Sequence, residues 1–142
     1  MMPVQKPRTR LRRPRRLLAH DIMTPEPVTV DVATSIAAAH HLMSTLKIRH
    51  LPVVDGKKVL GMLSDRDMRG FLSDATFTER SVGSVIDGPV FRVTPSAALQ
   101  TIADTMIENH VGALAVIDTQ TNSLVGVISY VDVLRALRLC LL

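Results

Sequence analysis

The sequence predicts an α/β (α+β) fold in which two βαββα repeats pack sheet to sheet with pseudo-two-fold symmetry. Three observations lead there. The 142-residue chain carries one pattern twice. Each copy sets a helical period between short strand-like runs. With 46% hydrophobic and 21% charged residues, the composition suits a packed domain.

Displacing the sequence by 63 positions puts Val30, Ile36, Ala39, Met43, Ile48, Leu51, Val53 and Asp55 on Val93, Leu99, Ile102, Met106, Val111, Leu114, Val116 and Asp118. Beyond Asp118 the displacement becomes 65, and Val59, Gly61, Leu63, Ser64, Asp67 and Met68 fall on Leu124, Gly126, Ile128, Ser129, Asp132 and Val133. The two added residues separate "DGKK" from "DTQTNS", where a hairpin turn tolerates a change of length. The repeats are read as residues 20–80 and 81–142, behind a tail of residues 1–19.

Each copy opens on a short strand, "PVTV" or "PVFRV". "TSIAAAHHLMSTL" then places Ile36, Ala39, Met43 and Leu46 on one helical face behind Thr34 or Ser35 as a cap, and Leu99, Ile102 and Met106 repeat this behind Ser96. "HLPVVD" and "KVLGMLS" read as two strands around an Asp-Gly turn, and "DRDMRGFL" as the closing helix. "ALAVID", "SLVGVIS" and "YVDVLRALRL" follow the same order. One such unit would expose a face of its small sheet, and two packed together cover both. The apolar "VLRALRLCLL" end is read either as a homodimer surface or as a helix completing the core.

Seven of the 17 basic residues precede Asp21, which leaves 10 against 13 acids in the rest of the chain. The tail, "QKPRTRLRRPRRLLAH", lacks an apolar stretch long enough for a signal peptide or a membrane span. It reads as a contact for RNA, DNA or an anionic membrane surface, or as a solvated, disordered extension or misassigned start. Aromatic residues are 3% of the chain, too few for stacking platforms on single-stranded nucleic acid. One cysteine, Cys140, excludes an intramolecular disulfide and a cysteine metal cage, and points to a reducing cytoplasm.

The repeated Gly-x-x-Ser-x-x-Asp of "GMLSDRDM" and "GVISYVDV" carries the chemistry. Serine followed three residues later by an acid suits a helix capping box, worth on the order of 1 kcal/mol and needing no ligand. The same parts also suit a nucleotide. A helix N-terminus offers free N–H groups to a phosphate. A carboxylate accepts from two vicinal ribose hydroxyls. Gly61 and Gly126 would let a flat base approach the strand.

"RHLPVVDGKKVLGMLSDRDM" and "GALAVIDTQTNSLVGVISYVDV" resemble two cystathionine-beta-synthase (CBS) domains, together a Bateman module, over about residues 20–138. The resemblance implies a non-catalytic regulatory module binding AMP, ADP, ATP, S-adenosylmethionine or cyclic dinucleotides between the repeats. On that pattern the first site takes Thr24, Val28 and Thr29 around the base, Arg49 and His50 beside phosphate, and Ser64 with Asp67 on phosphate and ribose, Arg66 adding a charge. The second takes Val90, Arg92, Gly112, Ala113, Ser129 and Asp132. There Gly112 and Ala113 stand in place of Arg49 and His50, and Asp87 in place of Thr24, so a weaker second site is expected.

His40 and His41 project about 100° apart on a helix and do not suit one metal ion. No cofactor or metal is required, although Asp65, Asp67 and Asp74 could surround magnesium beside a bound polyphosphate. No P-loop, dinucleotide-binding glycine motif or zinc-protease motif is present. An enzyme is the least favoured class. The alternatives are a structural dimerisation module whose Ser and Asp are caps, and nucleic-acid binding through the tail.

Overall fold

The computed structural model describes residues 16–140. The first repeat comprises β2 (Val30–Asp31), α2 (Ile36–Leu46), β3 (His50–Asp55), β4 (Lys58–Ser64) and α3 (Asp65–Leu72). The second comprises β5 (Arg92–Val93), α4 (Leu99–Asn109), β6 (Ala113–Ile117), β7 (Leu124–Ser129) and α5 (Tyr130–Cys140). The predicted order is therefore present twice. A short helix α1 (Ala19–Ile22) and strand β1 (Thr24–Pro25) precede the first copy, and a 3-10 turn (Val82–Ser84) precedes the second.

Each repeat follows the same local rules. β2 runs parallel to β3 and β5 to β6, while β3–β4 and β6–β7 are antiparallel hairpins. Their register shifts at matched places, Val53/Val54 and Val116/Ile117. Ser35 caps α2, its Oγ accepting from the Ala38 N–H at 3.1 Å. The matching residue before α4 is Ala98, which has no capping side chain. Ser96, the expected cap, lies two residues earlier and pairs with the Thr94 hydroxyl at 3.2 Å. α2 and α4 both end on a left-handed non-glycine residue, Lys47 (φ 54°) and His110 (φ 53°).

The sheets face one another through Val59, Ala115 and Ile117, with Val54, Met62 and Leu124 packed against them. All five residues of β6 are buried, as expected of a strand covered on both faces. Behind each sheet lies an aliphatic core: Ile36, Met43, Leu51, Leu63 and Met68 in the first repeat, Ile102, Met106, Leu114 and Ile128 in the second.

The opening segments cross between these cores. Ala19 is wholly buried in the second repeat's core, beside Ile22 and Met23. Its N–H donates to the Ala97 carbonyl at 2.8 Å, and His20 N–H to that of Pro95 at 3.0 Å. Val82, 63 positions on, is wholly buried in the first repeat's core beside Val85 and Ile86. Its N–H donates to the Thr34 carbonyl at 2.7 Å. Sheet order records the exchange on one side, because β1 pairs antiparallel with β7 to give the order β1-β7-β6-β5.

The crossing corrects two expectations. Residues 17–19, assigned to the basic tail, belong to the fold: Leu17 accepts from Leu99 N–H at 3.3 Å and Leu18 bridges Ala98. Their apolar side chains account for that, while residues 1–15 lie outside the described residues. The glycines of the repeated motif likewise have another purpose. A Cβ on Gly61 would meet the Ile86 side chain, and one on Gly126 that of Met23. Each glycine thus makes room for the other repeat's crossing segment, and the space beyond its missing side chain is filled by Ile86 or Met23.

Adding a methyl group at Gly61 is expected to destabilise the protein by about 1–3 kcal/mol, as overpacking does. In a double-mutant cycle by urea denaturation, Gly61→Ala with Ile86→Ala should cost less than the sum of the single changes, by on the order of 1 kcal/mol. Additive costs would show that the two positions do not touch.

Candidate functional site: two cavities between the repeats

Both Ser-x-x-Asp motifs form caps. Ser64 Oγ accepts from Asp67 N–H at 3.0 Å, and Asp67 Oδ2 accepts from Ser64 N–H at 3.1 Å. Asp132 Oδ2 accepts from both the N–H and the hydroxyl of Ser129, at 2.8 and 3.1 Å. These bonds occupy one oxygen of each carboxylate. A carboxylate has about four acceptor positions, so capping and ligand contact are compatible.

The chain ties each cap to the start of the neighbouring strand. Asp65 N–H donates to the Arg49 carbonyl at 2.8 Å, and Tyr130 N–H to that of Gly112 at 2.9 Å. β3–β4 register puts His50 opposite Ser64, and β6–β7 register puts Ala113 opposite Ser129. The residues before each inner strand are thus held beside the Ser and Asp by backbone pairing alone.

Two cavities open on these caps. The first, about 720 Å³, contains Ser64, Asp67 and Arg66 together with Arg49, His50, Val90, Gly112 and Ala113. The second, about 470 Å³, contains Ser129 and Asp132 together with Thr24, Val28, Arg49 and His50. The predicted residues are brought to the interface, but their grouping changes. Thr24 and Val28 serve the second motif because β1 pairs with β7. Val90 serves the first, in the segment that follows Ile86 across Gly61. Gly112 and Ala113 also line the first cavity, and Thr29 and Arg92 line neither.

Charge is also distributed differently from the expectation. The first cavity has Arg49, Arg66 and Arg69 against Asp65, Asp67 and Asp87. The second has Lys47, Arg49 and Arg135 against Glu26 and Asp132. The expected lack of cations at the second motif is corrected, since Lys47 and Arg49 arrive from the first repeat. Lys47 is placed there by its left-handed turn after α2, a feature with no distinct mark in the sequence. Tyr130 is a shared wall that the motif alone does not mark: it lines both cavities, and its hydroxyl accepts from Arg49 Nη1 at 3.3 Å. Asp74 lines neither cavity, and its carboxylate instead accepts from the Thr76 N–H and hydroxyl at 2.9 and 2.7 Å.

The family model for the CBS domain matches residues 19–74 and 82–139. The chain belongs to the CBS domain family. The solved structure of a protein assigned to acetoin utilization (AcuB) from Vibrio cholerae is 34% identical, with TM-score 0.74 over 87% of this chain and 92% of that one. CBSX2, solved in complex with AMP, is 25% identical with TM-score 0.74, over 85% of this chain and 96% of its own. An A-adding tRNA nucleotidyltransferase from Geobacter sulfurreducens is 26% identical over 82% of this chain but only 13% of its own length. The chain spans 13–24% of the length of three curated relatives it matches.

His50 stands between the cavities of this CBS pair. Burial pushes its pKa below the ordinary 6.5; Asp65 and Asp67 oppose the shift and Arg49 adds to it. A folded-state pKa below the unfolded value means that the unfolded chain takes up the proton first as pH falls. Stability is therefore lost as pH drops through 6.5 toward the lower folded value. Urea unfolding of His50→Gln between about pH 7 and pH 5.5 should show a shallower loss than the parent protein. Parallel slopes would contradict this role for His50.

Proposed function

We propose that this CBS pair is a regulatory module that binds an adenine nucleotide, AMP, ADP or ATP, or the related S-adenosylmethionine, between its repeats. The observation that carries the reading is the paired geometry. Each cavity joins a helix N-terminus with its Ser and Asp from one repeat to a crossing segment from the other. In the first cavity the Asp67 carboxylate suits vicinal ribose hydroxyls, and the N-terminus of α3 with Arg49 and Arg66 suits phosphate. Asp132, the N-terminus of α5, Arg49 and Arg135 repeat these roles in the second. The walls for a base are Val90, Phe91 and Pro89 in one case, and Val28 and Pro27 in the other.

A ligand held between two crossing segments contacts both repeats at once. It favours whichever relative orientation of the repeats closes on it, and can shift that equilibrium only by its difference in affinity for the two orientations. A similar chain solved with AMP supports the choice of ligand class. A protein partner would read the change. α4 and α5 leave Ile107, Leu134 and Leu137 exposed, which suits either a partner or a second copy of the chain.

A thermal-shift panel of AMP, ADP, ATP, S-adenosylmethionine and NAD tests the reading. At least one adenosine ligand should raise the melting temperature in proportion to the logarithm of its concentration, equivalent to about 2.7 kcal/mol at one hundred times Kd. The double variant Asp67→Ala/Asp132→Ala should lose that response while remaining folded. Unliganded, it should be less stable by about 1 kcal/mol for each lost cap. Absence of any shift at millimolar ligand would leave the motifs as caps and the protein as a structural module.

A further inference from the structure

Repeat symmetry supplies two Ser-x-x-Asp caps but only one Arg-His pair. Arg49 and His50 correspond to Gly112 and Ala113, which carry no charge. A third cavity of about 370 Å³ lies beside the first two, lined among others by Lys47, Arg69 and His40. Among the described residues, only Arg49 lines all three cavities. Its guanidinium reaches the Tyr130 hydroxyl, at the first residue of the second motif's helix, from the position just before β3. Tyr130 and His50 fill the middle with it: a Cβ on Gly112 would stand 3.5 Å from both the His50 Nε2 and the Tyr130 ring. The space a larger residue would claim at Gly112 is left to these side chains.

We infer that Arg49 is a single phosphate ligand shared by the two nucleotide cavities, so that an anion bound in one withdraws it from the other. The inference rests on the adenosine-binding reading and adds a relation between its two sites. Of the other cations, Arg69 pairs with Asp65 at 3.4 Å and Arg135 approaches Asp132 at 4.0 Å, while Arg66 lines the first cavity but not the second and Lys47 the second but not the first. Arg49 has no carboxylate of its own among the described ion pairs and instead rests on a neutral phenol. A guanidinium carries one positive charge and five N–H donors in a fixed plane; with Nη1 already on the Tyr130 hydroxyl, turning its remaining donors onto a phosphate in one cavity leaves less charge and fewer donors for the other. The second charged ligand therefore binds a protein whose arginine is already engaged. A ligand without phosphate makes no demand on Arg49 and should bind both cavities independently.

Calorimetric titration with AMP and with adenosine, in the full chain, tests this. Asp132→Ala leaves the first cavity alone and Asp67→Ala leaves the second, so each variant gives the intrinsic affinity of one site. In the parent protein, the second AMP should bind about ten-fold more weakly than its single-site value, roughly the loss of one good hydrogen bond. Adenosine should show no such penalty. Arg49→Gln should weaken AMP at both cavities and abolish the penalty, whereas plain repulsion between two anions would leave the penalty intact or enlarge it.

A parent protein that binds one AMP while each single-site variant also binds one is the limiting case of sharing. Parent constants equal to the single-site values would overturn the shared arginine and leave the binding reading standing. So would a single-site variant that stays folded but binds no AMP, because there would then be one site. Failure of both AMP and adenosine to bind the parent would instead overturn the adenosine reading itself, and the sharing with it.

Discussion

Ile86 lies over the missing side chain of Gly61, and Met23 over that of Gly126. Much else in the protein depends on this pair of contacts. Each brings a segment of one repeat onto the hairpin of the other, and each is made where a β-carbon would not fit. The crossing segments bury Ala19 and Val82 completely, so neither aliphatic core is complete within its own stretch of sequence. The cavities follow from the same constraint. Residues 87–91 leave Ile86 to line the cavity of Ser64 and Asp67, and Thr24 to Val28 follow Met23 into that of Ser129 and Asp132.

The caps show how one set of atoms serves stability and recognition together. A capping box consumes one oxygen of the aspartate and one N–H of the helix end. The remaining acceptor capacity of the carboxylate is what a ribose requires, and the positive end of the helix suits a phosphate although the Asp65 and Tyr130 N–H groups already donate to the Arg49 and Gly112 carbonyls. Because the Ser and Asp are already fixed by the cap, a ligand meets groups whose conformational freedom has been spent in folding. Electrostatics then differ less between the two cavities than the local sequence implies. Arg49 and Lys47 supply the second motif from the first repeat, and Asp65 and Asp87 offset the arginines of the first.

Most of the architecture was legible because helix and strand periods are local properties. The repeats displaced by 63 and then 65 residues, the two hairpins and the helices after each motif could be read from the positions of Ile36, Met43, Leu51, Leu63 and their counterparts. The repeat order does not say which hairpin an opening segment joins: it groups Thr24 and Val28 with Asp67, whereas both line the cavity of Asp132. The short strand β1 carries only Thr24 and Pro25, too few residues to show a period. Ser96 is the nearest capping residue type before α4, yet Ala98 holds the cap position. Lys47 and Tyr130 carry no local mark in the sequence, because each faces a cavity that the other repeat helps to build.

Which crossing segment meets which aspartate is reported directly by backbone amide spectra during a ligand titration. In the Asp132→Ala variant, with AMP confined to the first cavity, the resonances of residues 87–91 should move together with those of Ser64 and Asp67. Those of residues 24–29 should stay in place. Movement of residues 24–29 with Ser64 and Asp67, while residues 87–91 remain still, would contradict the exchange of segments on which both cavities depend.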